Sequence, residues 1–407
     1  MTATLDGERL LQDLDSLAEI GASRGGGVNR IAYTPADQEA RRRVESQMRE
    51  LGLEVRTDQA GNSIGVYRGQ VAQLPAIALG SHTDSVPDGG RYDGALGVVA
   101  ALACVRALHA SDLHLHHAVE VINFAAEESP MGGTIGSRAM VGLLDPELVR
   151  AQAWDGRPVA THLRSAGLDP DAVFEARRPQ GSLAAFLELH IEQGTTLEAA
   201  GLPVGVVQGI AGIRRYTATF HGVANHAGTT PMADRRDALV MAAPLIMAVR
   251  DTAVAHGIVG TVGTLQLRPG APSVIPGRVD LSVETRGLEE RVLDEAEAEL
   301  ERRAREAGAE FGRYSAKPPA MSDPRLVAVL TQACDELGLP FRLMSSGAGH
   351  DAMCIAHIAP QAMLFVPSRD GISHSPEEYT DPESCVAGAR VLLAALLKLD
   401  TILDPEV

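Results

Sequence analysis

The chain has 407 residues and a formal net charge of −17. This length exceeds what one ordinary hydrophobic core needs, so we expect about two domains. The acidic balance argues against nucleic acid or an anionic membrane as a partner. No apolar run approaches about 18 residues, and the first residues lack a basic segment followed by an apolar one, so neither a spanning helix nor a signal peptide is predicted. The four cysteines have no metal-type spacing, which indicates reduced thiols in a cytoplasmic protein.

The first half of the chain alternates segments typical of helices and of buried strands. Thr34 and Pro35 offer a cap and a first-turn proline for a helix that ends at Gly52. Another helix is predicted over residues 95–108. Short apolar runs typical of buried strands cover residues 76–81, 119–126 and 186–190. Each run leads to a histidine or to paired carboxylates, at the strand ends where open α/β sheets place their clefts.

Residues 213–322 have a different pattern. Strand-like and helix-like segments follow one another there in the order β-α-β-β-α-β, which is typical of a two-layer sandwich of an antiparallel sheet and two helices. The predicted fold class is therefore α/β. A larger catalytic domain, residues 1–212 and 323–407, would have a mixed sheet flanked by helices. Residues 213–322 would form an inserted lid or dimerisation domain.

Five side chains that can bind a metal ion lie in separate short motifs, and they are His82, Asp93, Glu128, His190 and His374. These are the nitrogen and oxygen ligands that two divalent ions need, provided that one carboxylate bridges the ions so that each keeps a position open for water. We expect two divalent ions per chain, about 3.5–4 Å apart. Zinc is favoured, and manganese, cobalt and nickel are compatible with these ligands.

Two further carboxylates belong to this pattern. Glu127 adjoins Glu128 and could take a proton from the attacking water. Asp84 could accept the second ring proton of His82 and orient the ring. Less specific alternatives stay open for these motifs: Asp93 could cap the helix that follows it, and the Glu127–Glu128 pair could be a solvated turn.

Five longer motifs identify a family. They read Leu-Glu-Leu-His190-Ile-Glu-Gln193-Gly, Gly-Val-Ala-Asn-His226-Ala-Gly-Thr-Thr-Pro-Met, Val-Ile-Pro-Gly at 274–277, Ser-Gly-Ala-Gly-His350-Asp351-Ala and Phe-Val-Pro-Ser-Arg-Asp-Gly-Ile-Ser-His374-Ser. In this order and spacing the chain resembles the N-carbamoyl-L-amino-acid hydrolases, with β-ureidopropionase and allantoate amidohydrolase as relatives. They form a branch of the di-metal aminoacylase and carboxypeptidase superfamily.

The resemblance implies a role for each metal-site residue. Asp93 would bridge the ions, with His82 and His190 on one ion and Glu128 and His374 on the other. Glu127 would be the general base and later the proton donor, while water activated between the ions attacks the carbonyl carbon. His226 would stabilise the oxyanion from the partner subunit, which implies a homodimer.

The resemblance also implies the contacts to a small carboxylate substrate. Arg286 would bind the substrate carboxylate with two parallel hydrogen bonds. Gln193 would contact the carbamoyl end, Ser273 stands where relatives have an asparagine, and His350 and Asp351 would support the site. The alternative for this last pair is a structural hydrogen bond between the two side chains.

Departures from the family pattern concern the substrate rather than the metals. Pro130 and Met131 replace a usual Arg-Phe pair, and Ser273 replaces the asparagine. The predicted function is cleavage of a C–N bond in a small N-carbamoyl or ureido acid, of the N-carbamoyl-L-amino acid, ureidopropionate or allantoate type. An N-acyl amino acid deacylase or dipeptidase with the same metals is the enzymatic alternative. A metal-free binding or scaffold protein on this fold is the alternative from another class.

Overall fold

The chain divides into two units in the computed structural model, which describes residues 3–403. The first unit contains the chain up to Gln208 and from Ser322 onwards, and the second contains Gly209–Met321. The sequence pattern predicts an insertion at residues 213–322. A lid or dimerisation role for the second unit stays a prediction.

Helix boundaries follow capping and proline signals. The Asp237 carboxylate accepts the N–H groups of Leu239 and Val240 at the start of one helix, and Pro324 lies in the first turn of another. The helices are α1 (Gly7–Ala18), α2 (Pro35–Glu50), α3 (Ala95–Ala110), α4 (Ile135–Val141), α5 (Pro146–Arg150), α6 (Val159–Ser165), α7 (Thr196–Ala200), α8 (Ala238–His256), α9 (Glu290–Glu306), α10 (Pro324–Glu336), α11 (Asp351–Ile355) and α12 (Pro382–Ile402). Short 3-10 helices cover Ser129–Met131, Val173–Ala176, Met232–Asp234 and Arg369–Gly371.

The strands fall into two sheets. They are β1 (Glu54–Thr57), β2 (Ser63–Tyr67), β3 (Ala76–His82), β4 (Val119–Phe124), β5 (Leu183–Ile191), β6 (Val204–Ile210), β7 (Gly212–His221), β8 (Val259–Arg268), β9 (Arg278–Gly287), β10 (Ala309–Lys317), β11 (Ala320–Met321), β12 (Phe341–Ser346) and β13 (Gln361–Val366). The larger sheet has the order β1-β2-β4-β3-β5-β13-β6-β11, with β12 also pairing with β6.

The larger sheet is mixed, which confirms the predicted fold class. Its central strands β4, β3, β5 and β13 run parallel, whereas β2 and β6 pair antiparallel with their neighbours β4 and β13. Strands β3, β4 and β13 are buried along their whole length, so they appear in the sequence as continuous apolar runs. Because the parallel strands end at the same edge, the side chains that follow β3, β4 and β5 come together there.

Helix α3 packs against this sheet and is itself almost entirely buried. Its residues from Ala95 to Cys104 are all closed to solvent, and it belongs to the main core with α12. A helix that is apolar on all sides must be buried in this way. The burial of α3 fixes the loop before it, and that loop contains Asp93.

The second unit is built from an antiparallel sheet of order β10-β7-β9-β8 and the two helices α8 and α9. Arg214 of β7, almost fully buried, donates to carboxylates of Glu290, Asp294 and Glu297 on α9 at 2.7 Å each and so ties helix to sheet. Within residues 3–403, α8 is the one helix long and apolar enough to cross a membrane by length and composition. Core helices of globular units share that composition, and Ala242, for instance, is buried in this unit's core.

Candidate active site

All five proposed metal ligands lie in the first unit, around Asp93. The ligand atoms of His82, Asp93 and His190 lie within 4.8 Å of one another, and so do those of Asp93, Glu128 and His374. The Nε2 atoms of His82 and His190 lie 3.6 and 3.3 Å from Asp93 Oδ1. His374 Nε2 lies 3.5 Å from Asp93 Oδ2 and 3.3 Å from Glu128 Oε1. Asp93 is thus the residue that both sets share.

The hydrogen bonds of two histidines show which nitrogen of the neutral ring is available to a metal ion. His82 Nδ1 lies 3.0 Å from the backbone oxygen of Asp84, and His190 Nδ1 lies 2.9 Å from that of Ile191. A carbonyl oxygen only accepts, so both Nδ1 atoms carry hydrogen. Nε2 of each neutral ring is then unprotonated, and the Gly94 N–H donates to His190 Nε2 at 3.1 Å. This is the tautomer that binds metal ions through Nε2.

The loop before α3 brings Asp93 against His82. Gly94, with φ of 64°, is the residue that caps α3, so the alternative in which the Asp93 side chain caps this helix is wrong. A Cβ atom at Gly94 would lie 2.4 Å from the His82 ring. Glycine is therefore required here both for its positive φ and for the close approach of the backbone to the ring.

The turn with Glu127 and Glu128 is held by Asp84. The Asp84 carboxylate accepts the N–H of Glu127 at 3.2 Å and that of Glu128 at 3.0 Å. Its nearest oxygen is 3.8 Å from His82 Nδ1, so the ring is oriented by the backbone oxygen of Asp84 rather than by its carboxylate. Ala126, directly before the pair, adopts φ of 53°, a conformation that persists in a non-glycine residue only where its surroundings enforce it.

Glu127 points to the same centre as the ligands. Its Oε2 lies 3.7 Å from His82 Nε2, and 11% of its side chain is exposed. Burial, followed by the charges of Asp351 and Glu128, holds the pKa of Glu127 well above its usual value. A carboxyl group that keeps its proton to a higher pH than usual suits proton transfer near neutral pH. The solvated-turn alternative does not describe this pair, because Glu128 is buried.

Charges around Asp93 favour its ionised form. Burial raises the pKa of Asp93, but His190, His82 and His374 outweigh burial and leave it well below its usual value. Burial lowers the pKa of His190, whereas Asp93 raises it, with a net value of about 9. The hydrogen bond to Glu128 raises the pKa of His374 to about 9. A divalent ion binding at these rings would therefore release protons.

A layer of buried polar residues lies behind the ligands. The His350 ring packs edge-on against His190 at 4.5 Å between centroids, and its Nε2 lies 2.9 Å from Ser346 Oγ. Asp351 is fully buried beside Ser137, whose side chain favours the charged form of the carboxylate. The alternative of a hydrogen-bonded His350–Asp351 pair is therefore wrong, because His350 bonds to Ser346. A substrate contact by His350 stays a prediction.

Gln193 contacts the shared carboxylate directly. Its Nε2 donates to Asp93 Oδ2 at 2.7 Å, and its backbone φ is 58°. Its Oε1 is buried and has no hydrogen-bond partner among the described residues. Met131, in contrast, is fully buried in a separate apolar cluster with Ile135 and Leu163. The departure from the family pattern at Met131 is thus a change of core packing.

Three predicted substrate or catalytic residues lie in the second unit. His226 is exposed, and its Nδ1 accepts the N–H groups of Gly228 and Thr229 at 3.0 and 3.1 Å. Ser273, also exposed, accepts the N–H of Ala227 through its backbone oxygen at 2.8 Å. His226 and Ser273 therefore lie on adjoining segments of this unit.

Arg286 lies on β9, and its Nε donates to Glu284 Oε1 at 2.7 Å. The same carboxylate accepts from Arg215 Nε at 2.7 Å. Arg286 is therefore already held by an acidic neighbour, which fixes the orientation of its planar side chain.

The sequence carries no signal for two residues that support the Glu127 turn. Arg41 of α2 is buried and donates to the backbone oxygens of Asn123 and Phe124 at 3.2 and 2.6 Å. The Asn62 side chain accepts the N–H of Ala125 at 2.9 Å. Both contacts join residues more than 60 positions apart, so local patterns cannot reveal them.

Comparison with known proteins decides the family. The sequence profile of peptidase family M20/M25/M40 matches residues 78–398. The chain belongs to this family. The N-carbamoyl-L-amino acid amidohydrolase of Geobacillus stearothermophilus is 41% identical over 404 residues, which cover 97% of this chain and 99% of that enzyme. The allantoate amidohydrolase of Bacillus subtilis (strain 168) is 36% identical and covers 95% of this chain and 96% of that enzyme.

A solved structure agrees with the family assignment. The amidase of the hydantoinase/carbamoylase family from Burkholderia multivorans has 36% sequence identity and a TM-score of 0.89, and covers 98% of both chains. For a member of the M20/M25/M40 family, the residues around Asp93 are a suitable donor set for divalent ions. They provide imidazole Nε2 lone pairs and carboxylate oxygens within one small region, the combination that zinc, manganese, cobalt and nickel accept.

Proposed function

We propose that this M20/M25/M40 family member is a metal-dependent amidohydrolase that cleaves a C–N bond in a small N-carbamoyl or ureido acid. The observation that supports this most directly is the pair of ligand sets sharing Asp93, with Glu127 beside them. Relatives over the full chain are named N-carbamoyl-L-amino acid amidohydrolase and allantoate amidohydrolase. The products would be ammonia, carbon dioxide and the amino acid.

Two divalent ions would be held by this chain, one by His82 and His190 and the other by Glu128 and His374, with Asp93 shared. Zinc is favoured by the ligand types. Bound ions would acidify a water molecule and polarise the carbonyl of the substrate. These ligands would hold the ions in place, and the backbone acceptors of His82 and His190 would keep their rings oriented.

Glu127 would move the proton. Its carboxylate reaches the region around His82 Nε2 without being needed to complete either ligand set. It would accept a proton from the attacking water and then deliver it to the leaving nitrogen. Asp84 would position this base, because its carboxylate accepts the backbone N–H groups of Glu127 and Glu128 and so holds the peptide units on both sides of residue Glu127.

His226 would stabilise the developing negative charge on the carbonyl oxygen. Because its Nδ1 accepts two backbone N–H groups, the hydrogen of the neutral ring is on Nε2. Nε2–H is then a donor held in a fixed direction, as an oxyanion requires. Gln193, through its unpartnered Oε1, would contact the N–H groups of the carbamoyl end.

Arg286 would bind the substrate carboxylate, because a planar guanidinium forms two parallel bonds with such a group. Ser273 is shorter than the asparagine of relatives, which would alter the fit of simple carbamoyl amino acids. A matched pair of substrates tests the carboxylate contact. An acid should be hydrolysed much faster than its uncharged amide, and equal rates for the two would contradict this role of Arg286.

We also propose a homodimer through the second unit. On α8 the side chains of Val240, Met247 and Val254 are spaced by seven residues, lie on one face and are exposed. Strand β8 is at the edge of its sheet and exposes Val259 and Leu265. Unpaired sheet edges and apolar surfaces are typical of subunit interfaces. A cytoplasmic location stays an expectation from the sequence.

A substrate panel tests the proposed function. The purified protein, stripped of metal by a chelator and reloaded with Zn²⁺, Mn²⁺, Co²⁺ or Ni²⁺, is given N-carbamoyl, ureido, N-acyl and dipeptide substrates. Metal-dependent ammonia release from a carbamoyl or ureido acid is expected. Release of a carboxylic acid or amino acid from the acyl or dipeptide substrates, without ammonia from the ureido ones, would instead identify a deacylase or dipeptidase.

A further inference from the structure

The loops that contain Asp93 and His374 are joined by one buried carboxylate, that of Glu378. Its Oε1 accepts the backbone N–H groups of Tyr92 and Asp93 at 2.8 and 3.0 Å. Its Oε2 lies 2.7 Å from the hydroxyl of Ser373, the residue before His374. That hydroxyl also lies 2.7 Å from Asp93 Oδ2. Glu378 therefore contacts the backbone of Asp93 directly, and it contacts the side chain of Asp93 through Ser373.

The chain leaves room for this carboxylate at Gly90. A Cβ atom on Gly90 would lie 1.8 Å from Glu378 Cδ and about as close to both oxygens. Gly90 does not have a positive φ, so it is required for space and not for its backbone conformation. The space at Gly90 and the three hydrogen-bond partners of Glu378, which are the N–H groups of Tyr92 and Asp93 and the Ser373 hydroxyl, are separate features that serve the same side chain.

A carboxyl group buried at this position needs hydrogen-bond partners. Glu378 is 4% exposed, so protein groups replace the water around its two oxygens. Those groups are the N–H groups of Tyr92 and Asp93 and the Ser373 hydroxyl. Its contacts therefore converge on Asp93, the one residue common to both ligand sets.

We propose that Glu378 is a positioning residue that sets the orientation of Asp93 for metal binding. This inference rests on the metal-dependent function proposed above. Residues that hold a ligand typically change metal affinity by about 10–100-fold when they are removed. Glu378 and Ser373 would act in this way on the shared carboxylate, so their loss should weaken the binding of both ions.

Four substitutions separate this role from a general loop contact. Glu378→Ala removes all the contacts. Glu378→Gln keeps the Oε1 acceptor and places an amide that can donate to Ser373, which then donates to Asp93, so it should behave as a rescue. Gly90→Ala leaves the Glu378 side chain intact but occupies its space. Ser373→Ala removes only the link to the Asp93 side chain.

Glu377 provides a matched control. It is the neighbouring residue and the same side chain, but it is exposed, and its side-chain contact is with Ser375. Glu377→Ala should therefore leave metal binding at the wild-type level. A difference between the two adjacent glutamates cannot come from the loss of one negative charge alone.

The measurement is a competition titration of the chelator-stripped, full-length protein with Co²⁺, followed by the visible absorption of the bound ion. Unfolding temperature in excess chelator is recorded for every variant. We expect about 10–100-fold weaker Co²⁺ binding and an altered spectrum for Glu378→Ala and Gly90→Ala. Ser373→Ala should lie between these and wild type, and Glu378→Gln should bind nearly as wild type. The Gly90→Ala/Glu378→Ala double variant should be no weaker than the single ones.

Wild-type Co²⁺ affinity and spectrum in folded Glu378→Ala or Ser373→Ala would overturn the proposal. A Glu378→Gln variant as weak as Glu378→Ala would also overturn it. If Glu378→Ala and Gly90→Ala fail to fold, Ser373→Ala and Glu378→Gln still decide the question. Because the readout is Co²⁺ binding, a wild-type protein that binds the ions but releases no ammonia would contradict the proposed function and leave this inference standing.

Discussion

Replacing Asp84 by asparagine should separate the Glu127–Glu128 turn from the strand that supports it. Asp84 is 1% exposed, and its two carboxylate oxygens accept two backbone N–H groups at 3.2 and 3.0 Å. An asparagine side chain has one oxygen and one NH₂ group. One buried N–H would therefore face a donor instead of an acceptor, whichever way the amide is oriented.

The magnitude follows from these two bonds. A buried N–H without an acceptor costs about 1–3 kcal/mol. The other N–H keeps its hydrogen bond, but to a neutral amide oxygen, so it loses the roughly 1 kcal/mol that a charged acceptor adds. We expect the free energy of unfolding in chelator to fall by about 2–4 kcal/mol. A misplacement of Glu127 by about 1 Å can cost 10²-fold in rate, so turnover should fall by at least about that factor.

Urea denaturation in chelator and steady-state turnover at saturating metal measure the two effects. Asp88→Asn is the control, because Asp88 is exposed and bonds to the Asn29 side chain on the surface, so its loss should change stability by less than about 0.5 kcal/mol. An Asp84→Asn protein that unfolds at the wild-type urea concentration and keeps wild-type turnover would refute this reasoning.

Three further changes have defined outcomes. Glu127→Gln should lower turnover by about 10²–10⁴-fold while metal content by elemental analysis stays at the wild-type level; loss of metal would mean that Glu127 is a ligand. Burial, with Glu188 adding to it, raises the pKa of Asp351 to about 8. The unfolded chain releases this proton near pH 4 and the folded chain keeps it, so stability in chelator should fall from pH 5 to pH 8 by up to about 1.4 kcal/mol per unit. Asp351→Asn should flatten that slope, and an unchanged slope in pH-dependent denaturation would contradict the assignment. If His226 acts on the partner's site, mixing inactive Glu127→Gln and His226→Ala subunits should restore about a quarter of wild-type activity through hybrid dimers, whereas no recovery in subunits shown to exchange would exclude action in trans.

The positions of the metal-site residues could be predicted because they depend on local patterns. The apolar runs before His82 and Glu127 indicated buried strands, and the structure ends β3 at His82 and β4 just before the glutamates. The helix predicted at residues 95–108 is α3, Ala95–Ala110. The parallel order of these strands then explains why residues 108 positions apart, His82 and His190, lie beside the same carboxylate.

What could not be predicted depends on contacts between distant segments. Glu378 binds the backbone of Asp93 across 285 positions, and no spacing rule connects them. Asp84 was expected to orient the His82 ring through its carboxylate, but in the structure that carboxylate holds the Glu127 turn. A buried carboxylate binds those backbone N–H groups that have no other acceptor. Only the folded chain determines which N–H groups these are.

Anomalous diffraction from crystals of the zinc-loaded protein tests most directly whether these residues form one metal centre. We expect two peaks per chain, both in contact with Asp93. One should also contact His82 and His190, and the other Glu128 and His374. A single peak, or a peak that lies away from Asp93, would contradict the shared-ligand centre on which the proposed chemistry depends.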